Sequence, residues 1–117
     1  MTEPKKPAAN GEMLQGTLDM LILRTLVMGK AHGHTIARVI ENTSDDVLQV
    51  EQGSLYPALH RLEDRGWVKS SWGLSENNRK AKFYELTAAG KKQLAAERKR
   101  WHQMVAAIGR ILGEAVE

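Results

Sequence analysis

The chain has no cysteine. Disulfide scaffolds, thiol nucleophiles and cysteine-ligated metals are therefore excluded. Aromatic residues are few, at 5% of 117 positions, which argues against a surface that grips single strands by base stacking. Long hydrophobic runs are missing too. The run 20–23 stops at Arg24, and none approaches the roughly 18 apolar residues that suggest a membrane span. Residues 1–12, MTEPKKPAANGE, lack the apolar core of a secretory signal, so the expected location is the cytoplasm. There is no Gly-rich phosphate loop and no HExxH motif. His32 and His34 are too close to share a helix face, and His60 and His102 lie in separate segments, so no metal site can be assembled. No nucleophile–base set emerges either. The expectation is a protein that is not an enzyme and needs no cofactor.

What is present is a modest basic excess. Seventeen Lys and Arg stand against 14 Asp and Glu, for a formal charge of +3, with a pI of about 9.3. That permits nucleic-acid binding without demanding it. The length suits one compact domain. Residues 1–11 hold two of the three prolines and no periodicity, and read as a flexible tail.

The segment 52–66, QGSLYPALHRLEDRG, organises the rest. Leu55, Ala58, Leu59 and Leu62 recur at i, i+3, i+4 and i+7, the stripe of a helix turned toward a core. Ser54, Pro57, Arg61 and Asp64 form the expected outer face, with His60 beside them. Pro57 belongs near the helix start, and Gly66 stands where an αL cap would close it. A short helix that opens with small Gly53 and Ser54 and carries Arg61 outward suits the DNA major groove. The plain alternative is that Arg61 pairs with a neighbouring carboxylate on the surface.

Around this segment the pattern predicts a helix over 12–28, a second over 34–43, and a short strand at VLQV, 47–50. Strands follow at 67–72 and 81–86, with a turn between them that carries Asn78, Arg79 and Lys80. A last helix begins after Thr87, a good N-cap, and runs to about 115. The first helix is apolar on more than one side, through Leu14, Leu18 and Leu21 on one face and Met20, Leu23 and Val27 on another. One side therefore suits a second subunit or, alternatively, the core of a monomer. Leu94, Trp101 and Ile108 are spaced by seven, with Met104 and Ile111 between and Val105 and Leu112 beside them. This is a short heptad seam. The fold class implied is mainly α with a small β-hairpin: a winged helix-turn-helix over 12–87 and a long C-terminal dimerisation helix over 88–117.

The runs GSLYPALHRLEDRGWV, RKAKFYELTAAG and LQGTLDMLILRTL resemble the PadR family of bacterial transcriptional regulators. The likeness spans about 14–94, and the single helix after LTAAG resembles the short subfamily. The resemblance implies a homodimeric repressor that binds a pseudo-palindromic operator in double-stranded DNA, its first and last helices building the dimer. Gly53, Ser54, Tyr56, Pro57 and Arg61 match the family's DNA-reading helix, while Gln52 and His60 fall at variable positions of it. Arg79 matches the wing arginine, Phe83 replaces the usual first tyrosine of that motif, and His34 stands where tyrosine is more common. Arg61 and the helix N-terminus would read bases, and Tyr56, Arg79 and Lys80 would contact phosphates. Trp101 is similar to a tryptophan with which a multidrug-binding member sandwiches a planar aromatic effector between two subunits. The other reading of Trp101 is a large residue that fills the dimer seam. The alternative for the whole chain is a winged-helix protein-interaction module that does not read DNA.

Overall fold

The computed structural model describes residues 15–114. Leu14, expected in the dimer seam, and the 1–11 tail lie outside these residues. The first helix, α1, covers Gln15–Thr25 and tightens into a 3-10 turn at Leu26–Met28. Its Leu18, Met20, Ile22 and Leu23 are buried, and Thr25 Oγ1 donates back to the Leu21 carbonyl at 2.9 Å. Gly29 then turns the chain at φ 135°, a conformation open to glycine and strained for other residues.

A two-residue strand follows, β1 at Ala31–His32, between the two expected helices. It leads into α2, Gly33–Thr43, which buries Ile36 and Ile40. The connection to the next helix differs from expectation: 47–50 is not a strand. Local acceptors take its amides in place of a neighbouring strand, beginning with Val47 N, which donates to the Ser44 carbonyl at 3.0 Å. Leu48 N donates to Ser44 Oγ at 3.1 Å and Val50 N to Glu41 Oε2 at 2.8 Å, while Leu48 and Val50 pack on the core edge. A β-prone run is overridden here because its backbone groups are already satisfied locally.

The next helix, α3, covers Gln52–Asp64 and buries Leu55, Ala58, Leu59 and Leu62, the stripe read from the sequence. Pro57 lies inside the helix, one turn later than the start expected for it, so the backbone bond to the Gly53 carbonyl is forgone there. Gly66 adopts φ 77° just past the helix, the αL cap expected. Strands β2, Val68–Leu74, and β3, Lys80–Leu86, pair antiparallel with Val68 opposite Leu86 and Leu74 opposite Lys80. β1 adds to the free edge of β3, giving the order β1-β3-β2. The final helix, α4, covers Ala88–Leu112. Thr87 caps it, its Oγ1 accepting from Gly90 N at 3.0 Å and donating to the Gly66 carbonyl at 2.7 Å. One residue thus fixes the start of α4 against the end of α3. The arrangement is a winged helix-turn-helix followed by a long helix.

The core draws on every helix. Leu18, Ile22, Leu23 and Leu26 meet Ile36, Ile40, the α3 stripe, Val68, Tyr84 and Leu94. Two residues expected at a dimer seam, Leu18 and Leu94, are therefore committed to the chain's own core, and Leu21 packs partly against it. On α4 the heptad spacing could not separate Leu94 from the exposed positions, since all fall on the same helix stripe.

Gly90 is where α4 crosses the end of α3. A Cβ there would lie 2.1 Å from the Trp67 carbonyl oxygen. Alanine normally stabilises a helix position relative to glycine, yet Gly90→Ala is expected to destabilise by about 2 kcal/mol or more through overpacking, seen as a lower urea midpoint. Glu41→Ala leaves the part-buried Val50 amide without its charged acceptor. It is expected to cost about 1–3 kcal/mol in the same measurement.

Candidate nucleic-acid interface

Burial of the α3 stripe fixes which residues of that helix face solvent. Gln52, Gly53, Ser54, Pro57, His60 and Asp64 are exposed, and Tyr56 is partly so. Gly53 has open space where a Cβ would stand, so another molecule can approach its backbone closely. The side chains of Gln52, Ser54 and His60 carry no intramolecular hydrogen bond among the described residues. Their donors and acceptors face outward unspent.

Arg61 departs from the expectation. Its guanidinium turns back toward α1 and donates from Nη2 to Asp19 Oδ1 at 2.8 Å. The reason is angular. Arg61 follows Ala58 by three residues and precedes Leu62 by one, which puts it at the border of the buried stripe instead of opposite it. The outermost positions are Gly53, Pro57, His60 and Asp64. In the sequence alone the partner was out of reach, because Asp19 lies 42 residues away.

Tyr56 has a packing role. Its ring lies over Gly33 so closely that a Cβ at Gly33 would meet the Tyr56 hydroxyl at 2.7 Å. The start of α2 is thereby set against the start of α3.

The wing is tied to α3 at its base. Glu63 accepts from Ser70 Oγ of β2 at 2.6 Å and lies 3.7 Å from Lys82 Nζ of β3. Burial, then the nearby Glu63 carboxylate, pushes the Tyr84 phenol up from its ordinary range. Cations lie over rings along the hairpin, Lys80 over Trp72 and Lys82 over Tyr84, at 5.3 and 5.8 Å from the ring centres.

At the tip, Asn78 N donates to the Ser75 carbonyl at 2.8 Å, and Asn78 takes φ 61°. This is a type I turn followed by a left-handed residue, the commonest three-residue hairpin loop. Asparagine is among the few side chains that occupy it readily. Asn78, Arg79 and Lys80 are all exposed there. Glu76 points the other way and lies 3.6 Å from His32 Nε2. A backbone hydrogen bond and then His32 hold its carboxyl below the ordinary range. His32 in turn caps α2 through Nδ1, which accepts from Thr35 N at 3.5 Å. No local pattern signals this contact, which forms only when β1 joins β3 and brings His32 opposite Phe83.

α4 continues well past the core. After Leu94 none of its residues is buried. Met104, Val105, Ile108 and Leu112 are about half or more exposed, Ile111 is 83% exposed and Trp101 38%. All continue the stripe that begins at Leu94. Beside Trp101 a groove of about 450 Å³ runs between α4 and the start of α1, bordered by Gly16, Thr17, Met20 and Met104. Among the described residues no group of three His, Asp or Glu could hold a metal ion, and no helix is long and apolar enough to cross a membrane.

Residues 22–96 match the Transcriptional regulator PadR-like family. Solved structures agree in fold. A transcriptional regulator from Clostridium thermocellum is 28% identical, with a TM-score of 0.75 over 82% of this chain and 93% of that one. A PadR family transcriptional regulator from Eggerthella lenta is 30% identical, with a TM-score of 0.70 over 84% of this chain and 83% of that one. An uncharacterized protein from Lysinibacillus sphaericus is 28% identical over 80% of this chain and 85% of its own length. A family match over most of the chain, on a winged helix with an outward α3 and a basic wing tip, has one reading: the chain belongs to the PadR-like family of transcriptional regulators, which are not enzymes.

Proposed function

We propose that this regulator is a homodimeric repressor that binds a pseudo-palindromic operator in double-stranded DNA. The observation that carries the reading is the unspent outer face of α3, with Gln52, Gly53, Ser54, Pro57 and His60 exposed, together with an exposed wing tip bearing Asn78, Arg79 and Lys80. α3 enters the major groove by its N-terminal end, where small residues let the backbone approach and free amide and hydroxyl groups meet base edges. Tyr56, Arg79 and Lys80 contact phosphates and set the register. The exposed stripe Trp101, Met104, Val105, Ile108, Ile111 and Leu112 supplies the dimer seam, because an apolar surface of this extent favours burial. Two copies of α3 then face successive turns of one DNA face, roughly 34–36 Å apart. A planar aromatic effector at the Trp101 groove, which would bias that spacing, is the regulatory part of the proposal.

DNA containing the gene's own upstream region is expected to shift in a gel at physiological salt, with affinity falling steeply as salt rises. Absence of any shift, together with a stable complex with another protein, would favour the interaction-module reading. Lys80→Ala is expected to weaken binding to all sequences and to reduce the salt slope by about one. Gly53→Ala separates stability from reading. With open space around the new methyl, it is expected to raise stability by about 0.5 kcal/mol while weakening DNA binding. A variant that binds DNA as well as the parent would count against close approach at Gly53. Sedimentation is expected to give twice the 13.1 kDa chain mass, and a charge at Ile108 is expected to shift it toward the monomer.

A further inference from the structure

Arg61 is the one permanently charged side chain on α3 that the sequence offers as a base reader, yet it is clasped to another helix. Its Nη2 lies 2.8 Å from Asp19 Oδ1, with the aspartate side chain 14% exposed and the arginine 30%. A pair this short and this shielded is a charge-assisted hydrogen bond of the stronger kind. Its Nε is buried with no hydrogen-bond partner among the described residues. The guanidinium thus depends on Asp19 for its compensation inside the protein, and removing the carboxylate would leave a part-buried charge unpaired.

The position of Asp19 gives the contact its meaning. It sits on α1 between Leu18 and Met20, whose side chains belong to the core. Thr17 and Met20 of the same helix border the groove beside Trp101 on α4. The Leu55–Leu62 stripe fixes how α3 rolls. It leaves the helix free to tilt along its own axis, as apolar contacts are non-directional. A directional bond from the last turns of α3 to α1 removes that freedom.

We infer that Arg61 is a positioning residue and not a base reader: the Asp19–Arg61 clasp sets the tilt of α3 against α1, and the base contacts come from the exposed residues of the α3 N-terminal half. This rests on the DNA-binding reading above.

Four variants test it on the full chain: Asp19→Asn, Arg61→Gln, the two combined, and the charge-swapped pair D19R/R61D. Each is confirmed folded by circular dichroism and compared well below its melting temperature. On upstream DNA, each single variant is expected to bind about tenfold more weakly, the loss of one hydrogen bond between charged groups. The double variant is expected to bind no more weakly than the singles, because both remove the same contact. The swapped pair is expected to recover part of the loss, and the salt slope is expected to stay at the parent value in all four. Arg61→Lys, which keeps a cation for Asp19, is expected to keep the parent's sequence preference.

The inference is overturned if Arg61→Gln binds weakly with a salt slope lower by about 0.9, the signature of a lost phosphate contact, while Asp19→Asn binds like the parent. Loss of preference at a single base pair in Arg61→Lys would overturn it equally. If the parent protein binds no DNA, the proposed function fails, and hydrogen exchange of the DNA-free protein decides the clasp alone. The α3 amides are expected to exchange faster in Asp19→Asn and in Arg61→Gln to the same degree. Parent-like protection of α3 in Asp19→Asn would show that the clasp does not hold the helix.

Discussion

Burial of Leu55, Ala58, Leu59 and Leu62 decides how α3 is rolled, and with it what the chain presents to solvent. These side chains are almost wholly withdrawn from solvent, and together they account for most of what the core gains from α3. Because side chains repeat every 3.6 residues, a helix buried along one stripe has no choice about its opposite face. Gly53, Pro57 and His60 are outward because the leucines are inward. Any slip of the stripe would bury polar groups without partners and expose apolar area, each unfavourable by kcal/mol amounts.

Around that fixed roll, polar contacts set the remaining degrees of freedom. Tyr56 lies on Gly33 and spaces α2 from α3. Glu63 joins the helix to both strands of the wing through Ser70 and Lys82. Thr87 bonds the Gly66 carbonyl and caps α4 with the same hydroxyl. Arg61 reaches Asp19 on α1. These are single contacts at the rim of a continuous apolar core. In such an arrangement the core supplies most of the stability and the polar rim supplies direction. A protein that must present a helix and a hairpin at one angle needs both.

Much of this was legible in the sequence, and what was not has a common cause. The α3 stripe, the Gly66 cap, the Thr87 cap and the hairpin are local signals, written within one or two turns of chain, and the structure shows each where the spacing puts it. The strand expected at 47–50 failed because Glu41 and Ser44 satisfy its amides. Those acceptors sit up to nine residues upstream, beyond the window of a propensity argument. β1 exists only through β3, more than 50 residues later in the chain. The outward arginine failed for the same reason, since Asp19 is remote in sequence. The long heptad run showed where apolar residues lie on α4 but not which of them the chain uses itself. Leu94 belongs to the core, while Ile108, Ile111 and Leu112 remain uncovered. Periodicity identifies a face, and only the tertiary structure assigns its partner.

On the function proposed above, the N-terminal half of α3 and the tip of the wing receive DNA, while the outer half of α4 receives a second copy of the chain. Backbone amide shifts of the isotope-labelled protein, followed as upstream DNA is added, test this most directly. Large changes are expected only at Gln52–His60 and at Asn78–Lys80, with the amides of Trp101–Leu112 nearly unmoved because the proposed dimer is already formed. Changes centred on the outer half of α4, with α3 and the wing tip silent, would contradict it.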